Sequence, residues 1–337
     1  MTNDNTEIST QTIRFRAMIL AISVGGLLMT VKFVAYFLTD STAILSDALE
    51  SIINVVASGF ALYSIYVSNQ PPDTRHPYGH GKIEYFSVGF EGALIILAAV
   101  AILYKAIPAF FVQRPLAQLG LGIFLVLGTS AVNLALGLFL IRTGRRTRSM
   151  PLEADGKHLL TDVYTSVGVV GGLVLVKLTG WQAWDPLAAC AVAINIIFTG
   201  GRLVKESFGR LMDEADPELL GRIVDILNKN RRSDWIDIHQ LRTRHYGNKV
   251  HLDFHLVVPR SFELPEAHVE AEEIEMMILN TLDEVAEVIV HVDPCEDPLC
   301  ERCLQAQCQD RSKESSGATK PWLLDEVVLK RQRRGSQ

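Results

Sequence analysis

The chain has 337 residues, of which 48% are hydrophobic and 21% are charged, and its formal net charge is −6. This length allows two domains. The net negative charge does not predict binding to nucleic acid, which requires a positively charged surface. The averages conceal a division, because long apolar runs extend to about Val204 and the remainder is polar and strongly charged. Met1–Thr10 is polar and acidic, so no cleaved signal peptide is predicted. Five cysteines in a chain of this size and kind do not predict a disulfide framework.

Six apolar segments approach the roughly 20 residues that a helix needs to cross the hydrocarbon core. They span Phe15–Leu38, Thr42–Val67, Tyr85–Ile107, Leu116–Ile141, Ala154–Leu178 and Trp184–Val204. Four arginines stand in the loop 142–148, and the loop after the second segment is also basic, whereas the opposite loops hold little beyond Arg114. The positive-inside rule therefore predicts six transmembrane helices with both termini in the cytoplasm.

Pairs of polar residues interrupt the second and fifth segments. Glu50 and Asn54 stand four residues apart in the second segment, as do His158 and Asp162 in the fifth. Four residues is about one helical turn, so each pair projects from one helix face. Two helices that each present two nitrogen or oxygen ligands can enclose a divalent metal such as zinc.

The charge of these four residues suits exchange of a metal for protons. With Glu50 and Asp162 ionised, the site carries about two negative charges, which one divalent ion balances and which protons neutralise when the metal is absent. Competition between metal and protons at one site is the physical basis of antiport.

A structural role is the alternative for the intramembrane polar residues. His158 and Asp162 can form a buried hydrogen bond that holds two helices together, although ionisable groups at membrane depth by default mark an ion or proton path. Hydrogen bonding to neighbouring helices is the favoured interpretation for Glu91, Asn133 and Asn195.

The loop after the second segment, residues 71–82, is rich in turn-forming prolines and glycines and carries three candidate metal ligands. Asp73, His76 and His80 can fold around a metal ion and leave a position for water or another ligand. Exposed histidines in loops are also common without a metal, so both interpretations stay open.

From about Gly209 the pattern changes to that of a small α+β domain. The predicted elements are a helix from Asp216-Pro217 to Asn230, strands at Trp235–Tyr246 and Lys249–Val258 joined by Gly247-Asn248, a helix at Leu264–Asp283 and a strand at Val285–Val292. The order αββαβ predicts a ferredoxin-like module with its helices on one face of the sheet.

Histidines and aspartates recur on all three predicted strands. Alternation places His251, Asp253 and His255 on one face of the second strand. Ligands from adjacent strands can converge there on a metal ion, although surface histidines need no such purpose. The further candidates are His239 on the first strand and His291 and Asp293 at the end of the third.

A cysteine cluster follows the last strand, at Cys295, Cys300, Cys303 and Cys308. Four thiolates this close can bind zinc, but the spacing lacks a second CxxC pair, so inert cysteines are an equal alternative. The polar composition of residues 298–337 predicts disorder apart from a short segment at Trp322–Leu329. The basic end, Lys330–Arg334, can contact anionic lipid.

Taken together, these features resemble the cation diffusion facilitators over about Phe15–Cys295. The shared features are the polar second and fifth helices, the HxxxD pair, the Asp-x-x-His-x3-His loop and the αββαβ domain. Segments similar to Gly79–Lys82, Leu241–Arg244 and His291–Pro294 also recur in that family. The resemblance implies a homodimeric exporter in a prokaryotic inner membrane that exchanges a divalent transition metal for protons.

The resemblance also implies three metal sites. The transport site maps to Glu50, Asn54, His158 and Asp162. The loop site maps to Asp73, His76 and His80. A binuclear zinc site at the dimer interface maps to His239, His255, His268, His291 and Asp293, with His268 assigned by the resemblance alone.

The transport site departs from the family pattern at two positions. Zinc and iron members place Asp or His, and then Asp, where this chain has Glu50 and Asn54. A carboxamide removes one negative charge and keeps an oxygen ligand. This change weakens the argument for zinc as the cargo. Because the His158 nitrogen still favours later metals, Zn²⁺, Fe²⁺, Co²⁺ and Mn²⁺ stay open in that order.

The sequence predicts four regions: an N-terminal tail at 1–14, a six-helix transmembrane domain at 15–208, a metal-binding and dimerisation domain at 209–297 and a tail at 298–337. The expected partners are a second copy, membrane lipid and protons, and not nucleic acid. A membrane-anchored metal sensor or assembly scaffold that does not transport is the alternative function. No HExxH motif or nucleophile–base arrangement supports an enzyme.

Overall fold

The computed structural model describes residues 2–39, 42–111, 120–181, 183–283, 285–304, 308, 311–315 and 320–328. The chain divides into two compact units, Met1–Leu211 and Met212–Gln337. Each unit has an apolar core of its own and is described by itself.

The first unit consists of long helices. They are α1 (Thr2–Thr39), α2 (Thr42–Ser68), α3 (Ile83–Ala109), α4 (Gly120–Thr147), α5 (Met150–Thr179) and α6 (Trp184–Leu211). α3 packs along α6, and α4 packs along α5. Gly92 of α3 allows a close approach, since a Cβ atom there would lie 2.9 Å from the carbonyl oxygen of Gly200 on α6. Small residues let helix backbones touch in this way inside a membrane.

Among the described residues of this unit, five stretches are long and apolar enough to cross a membrane. They are Thr10–Val34, Ser51–Ser68, Ile83–Pro108, Leu127–Thr147 and Pro186–Leu211. Large apolar side chains such as Leu97 and Phe198 are exposed on these helices, which suits a surface that faces lipid. The predicted crossing at Ala154–Leu178 includes side chains outside the described set, so the sixth crossing stays a prediction.

A buried ion pair joins three helices of the first unit. Arg14 of α1 contacts Glu84 at the start of α3, and both side chains are at most 1% exposed. Ser68 at the end of α2 donates a hydrogen bond to the same carboxylate at 2.6 Å. Because a buried charge is costly without a partner, these contacts hold the ends of the three helices together.

The second unit is an α+β domain. In chain order its elements are α7 (Pro217–Lys229), β1 (Asp237–Tyr246), β2 (Lys249–Val258), α8 (Leu264–Thr281), β3 (Val285–Pro294) and α9 (Leu324–Val328). The strand order is β1-β2-β3, with β1 antiparallel and β3 parallel to β2. Alternate residues of β2 such as Leu252, Phe254 and Leu256 share one core with side chains of α7 and α8. The small sheet predicted from the sequence is confirmed.

Local sequence signals explain where the helices of this domain begin. The Asp216 carboxylate accepts hydrogen bonds from backbone N–H groups of the first turn of α7, and Pro217 occupies its first position. Before α8, the Glu266 carboxylate accepts a hydrogen bond from the Glu263 backbone N–H at 2.9 Å. Gly247 adopts a φ of +63° in the turn between β1 and β2, a conformation that glycine takes without strain.

Part of the segment 298–337 packs against the domain, within the short stretch Trp322–Leu329 that is excepted from the predicted disorder. Trp322 and Val327 are buried in the main core of the domain. The Asn228 side chain and the Trp322 backbone exchange hydrogen bonds of 2.8 and 2.9 Å, and the Arg231 guanidinium lies 4.0 Å from the Trp322 ring centroid. Burial of one large aromatic side chain, together with hydrogen bonds to its backbone, therefore orders a segment whose neighbours in sequence are polar. The basic end at 330–334 lies outside the described residues.

Candidate metal sites

Three of the predicted transport ligands, Asn54, His158 and Asp162, meet between α2 and α5 and are called the helix cluster. Asn54 Nδ2 donates a hydrogen bond to Asp162 Oδ2 at 3.1 Å, and His158 Nε2 lies 2.9 Å from Asn54 Oδ1. His158 and Asp162 reach the same neighbour because they stand one turn apart on α5. The fourth predicted ligand, Glu50, lies on α2, and its side chain is outside the described set.

The helix cluster offers atoms that divalent metals accept. It presents an imidazole nitrogen, a carboxylate and a carboxamide oxygen, which suit zinc and neighbouring transition metals. His158 is only 5% exposed. The three side chains bond to one another in this state, so an entering cation would replace those hydrogen bonds with metal–ligand bonds.

Two further buried carboxylates adjoin the helix cluster. Glu91 Oε1 of α3 lies 3.5 Å from His158 Nδ1, and Asp155 Oδ1 of α5 accepts a 2.7 Å hydrogen bond from Ser58 of α2. The sequence interpretation assigned Glu91 to helix contacts and did not single out Asp155. Asp155 stands three residues before His158 on the same helix face, a spacing that could have revealed it. Glu91 reaches the cluster only because α3 packs beside α5.

A cavity of about 30 Å³ with both apolar and polar lining residues borders the helix cluster. Its lining includes Lys32, Ser51, Asn54, Ser58 and Asp155. This volume is about the share of one water molecule in the liquid, and polar walls favour its occupation by water. The cluster therefore lies next to space that can hydrate a proton or an ion.

The loop between α2 and α3 gathers Asp73, His76 and His80, called the loop cluster, with one ligand atom of each within 4.8 Å of the others. The Asp73 carboxylate accepts hydrogen bonds from the backbone N–H groups of Arg75 and His76 at 2.8 and 2.7 Å. The bond from the His76 backbone lowers the pKa of Asp73, which favours the ionised form that a cation requires. The turn thus places a carboxylate between two imidazoles whose ring centroids are 4.4 Å apart.

A row of histidines crosses the sheet of the second unit. His239 of β1 stands opposite His255 of β2, and His255 stands opposite His291 of β3. The ring centroids are 5.0 and 4.5 Å apart along the row. Directly opposed residues lie on the same face of a sheet, so the row follows from the strand register.

Asp293 completes this group, called the sheet cluster together with the three histidines. Its Oδ2 atom lies 2.8 Å from His255 Nδ1 and 3.5 Å from His239 Nε2, and its Oδ1 atom lies 3.3 Å from His291 Nε2. His239, His255 and Asp293 present ligand atoms within 4.8 Å of one another, close enough to hold one metal ion. His291 is adjacent and 63% exposed, so its ring is accessible from solvent.

Other candidates on the second unit have different neighbours. His268 is exposed on α8, where it lies 3.3 Å from Glu272, and among the described residues it belongs to neither three-ligand group. His251 lies 2.7 Å from Glu287 on β3. Asp253 pairs with Arg242 of β1 at 2.8 Å.

The late cysteines follow β3 in the chain. Cys295 and Cys303 pack with Ile236 and Val257 in a small apolar cluster. Within the described part of the chain, no cysteine belongs to a group of three close ligand atoms. The Ser312 backbone N–H lowers the pKa of the Cys300 thiol through a hydrogen bond.

Two family models match the sequence in the order of the two units. The model described as "Cation efflux transmembrane domain" matches residues 18–212, and the one described as "Cation efflux protein, cytoplasmic domain" matches residues 215–295. The chain therefore belongs to the cation diffusion facilitator, or cation efflux, family, which confirms the resemblance drawn from its motifs.

Similar proteins align over most of the chain. An uncharacterized transporter from Synechocystis sp. is 38% identical over 279 residues, which cover 82% of this chain and 90% of the relative. The cation-efflux pump FieF of Citrobacter koseri is 31% identical over 288 residues, covering 83% of this chain and 92% of the relative. FieF of Escherichia coli is 30% identical over 284 residues with the same coverage. Residues 296–337 lie beyond both family models.

Proposed function

We propose that this protein exports a divalent transition-metal cation from the cytoplasm in exchange for protons. The observation that carries the proposal is the partly buried contact of Asn54, His158 and Asp162 from two helices. An imidazole and a carboxylate are costly in this setting unless they bind a cation or protons. Related proteins named cation-efflux pumps support the direction of transport.

The proposed cargo is Zn²⁺, with Fe²⁺, Co²⁺ and Mn²⁺ as the next candidates. One imidazole with oxygen ligands suits zinc and its neighbours in the series. Asn54 supplies an oxygen without a charge, so the site attracts a divalent ion less strongly than a site with a second carboxylate there. Protons compete with the metal because the ligands must be deprotonated to bind it.

The proposed architecture has six transmembrane helices, cytoplasmic termini and a ferredoxin-like C-terminal domain that pairs two protomers in a prokaryotic inner membrane. Rocking of the helices would expose the helix cluster to alternate sides of the membrane. Metal bound at the loop and sheet clusters would regulate this motion, and His268 would contribute from α8 on dimerisation. Any such linkage acts in both directions, so cargo binding would alter metal affinity at those clusters. No covalent bond of a substrate is broken, and no catalytic residue is proposed.

The test is zinc uptake into inverted membrane vesicles under an imposed proton gradient. His158→Ala should abolish uptake with normal assembly, because the cluster loses its nitrogen ligand. His251→Ala is the matched control, since His251 contacts Glu287 outside every cluster described above, and it should transport as the wild type does. Wild-type uptake by His158→Ala would refute the proposal.

The alternative of a metal sensor or scaffold is supported by two ligand groups outside the helix cluster. Under that alternative, the wild type and His158→Ala would both fail to accumulate zinc. Asp293→Asn would still weaken zinc binding to the full-length protein.

A further inference from the structure

The hydrogen bonds of Asn54 determine which nitrogen of His158 carries hydrogen in this state. The Asn54 NH₂ group donates to Asp162, which leaves its carbonyl oxygen facing His158 Nε2 at 2.9 Å. A carbonyl oxygen only accepts hydrogen bonds, so Nε2 must be the donor. A ring nitrogen that carries hydrogen has no lone pair for a metal. Asn54 therefore stabilises the arrangement of His158 in which Nε2 is closed to cargo.

The opposite side of the ring faces a carboxylate. Glu91 Oε1 lies 3.5 Å from His158 Nδ1, slightly beyond hydrogen-bonding distance, and the two side chains are 2% and 6% exposed. Among the described ion pairs, Glu91 has no lysine or arginine partner. A Glu91 oxygen that accepts hydrogen from Nδ1 favours the tautomer that leaves the Nε2 lone pair available.

We propose that Glu91 is a positioning residue for cargo binding. It holds hydrogen at Nδ1 of His158, and Nε2 then binds the metal together with Asp162. Asn54 and Glu91 contact the ring from opposite sides. Asn54 favours hydrogen at Nε2 and the state in which the cluster bonds to itself, whereas Glu91 favours hydrogen at Nδ1 and the metal-bound state. This inference rests on the proposed transport function and adds α3 to the two helices that supply ligands.

The position of Glu91 also suggests why an uncharged Asn54 is tolerated. A carboxylate behind a ligating histidine raises the basicity of the ring and strengthens its bond to the metal. Loss of such a partner typically weakens metal affinity by about 10- to 100-fold. Glu91 thus acts on the bound metal through the imidazole rather than by direct ligation.

The experiment compares Glu91→Gln and Glu91→Leu with the wild type in full-length protein. Initial rates of zinc uptake into inverted vesicles give KM and Vmax separately. Equilibrium binding of radioactive zinc to the purified protein, compared with the binding to His158→Ala, gives the part of the zinc binding that depends on His158. Ser207→Ala is the matched control, because it removes a buried 2.6 Å hydrogen bond to the α3 backbone without touching His158.

Glu91→Leu should raise KM and weaken the His158-dependent binding by about 10- to 100-fold, with Vmax nearly unchanged. Glu91→Gln is nearly isosteric and still offers an oxygen acceptor without charge, so its KM should lie between those of Glu91→Leu and the wild type. Ser207→Ala should keep the wild-type KM. This order supports the positioning role, because KM then follows the strength of the acceptor at position 91, while the packing control Ser207→Ala leaves KM unchanged.

Two results would overturn the inference. One is wild-type KM in both Glu91 variants while His158→Ala is inactive, which leaves the transport proposal intact. The other is a loss of Vmax without a change in KM or in zinc binding, which would assign Glu91 to a step after binding. Wild-type transport by His158→Ala would instead refute the transport proposal itself, and the role of Glu91 with it.

Discussion

Replacing Asn54 with aspartate adds one negative charge at the centre of the helix cluster. Asn54 Nδ2 donates to Asp162 Oδ2 at 3.1 Å, and in Asn54→Asp a carboxylate oxygen takes the place of that donor. Two unit negative charges 3.1 Å apart repel by about 5 kcal/mol at an effective dielectric constant of about 20. A divalent cation bound between them removes this repulsion, whereas the wild-type pair has only one charged member.

We therefore expect Asn54→Asp to bind its cargo more tightly and to release it more slowly. Recovery of about a quarter of the repulsion on metal binding, about 1.4 kcal/mol, lowers KM for zinc about tenfold. Vmax should fall as well, because tighter binding is mostly slower dissociation. The added oxygen ligand should shift the preference from Zn²⁺ towards Mn²⁺.

Initial rates of Zn²⁺ and Mn²⁺ uptake into inverted vesicles measure these changes. Asn54→Ala is the comparison variant, because it removes the same hydrogen bonds without adding charge, and its KM should rise. A change of KM in the same direction for both variants would refute the electrostatic reasoning. Unchanged KM and ion preference in both would make Asn54 a structural polar residue.

Three further predictions concern the rest of the molecule. Asp293→Asn should weaken zinc binding about tenfold or more in calorimetric titration of the full chain, because one carboxylate faces three imidazoles, and an unchanged titration would contradict its shared role. Because the fold lowers the pKa of Asp73, its ionised carboxylate stabilises the turn at pH values above the ordinary carboxyl pKa of about 3.9. This stabilisation is lost as the pH falls through the lower pKa of the folded state. Amide hydrogen exchange in this turn at pH 5 should accordingly be slow in the wild type and fast in Asp73→Ala, which lacks the accepting oxygen, and equal rates would argue against this role of Asp73. Trp322→Ala should destabilise the second unit by about 3–5 kcal/mol in urea titration followed by proteolysis of the full chain, whereas Leu323→Ala, at a 56% exposed position, should cost less than about 0.5 kcal/mol. Equal effects of these two substitutions would show that Trp322 is not a core residue.

Periodicity revealed the residues whose neighbours lie on the same element or on a strand joined by a short turn. One helical turn between His158 and Asp162 places both beside Asn54. On the sheet, the turn at Gly247 sets the register of β1 and β2 as far as Arg242 and Asp253. A bulge between His239 and Arg242 then shifts the pairing by one residue and brings His239 opposite His255.

Residues that depend on tertiary packing were harder to find in the sequence. Glu91 is an ordinary buried acid on α3 until α3 is placed beside α5, and no spacing encodes that neighbour. The sequence predicts a short ordered segment at Trp322–Leu329, but nothing in it indicates that Trp322 enters the core beside α7. His268 was assigned only through the family resemblance, and on α8 its nearby partner is Glu272.

Two buried acidic regions of the first unit differ in what neutralises them. Glu84 contacts Arg14, so its charge is balanced within the fold. No lysine or arginine partner accompanies Glu91 or Asp155 among the described ion pairs. A neutral group can join helices at lower cost, as the Ser207 hydroxyl does when it donates to the Tyr85 carbonyl oxygen. Buried acids without a permanent lysine or arginine partner are therefore expected where a metal ion or protons bind and leave and so balance the charge. Their presence beside the helix cluster argues against a purely structural role for it.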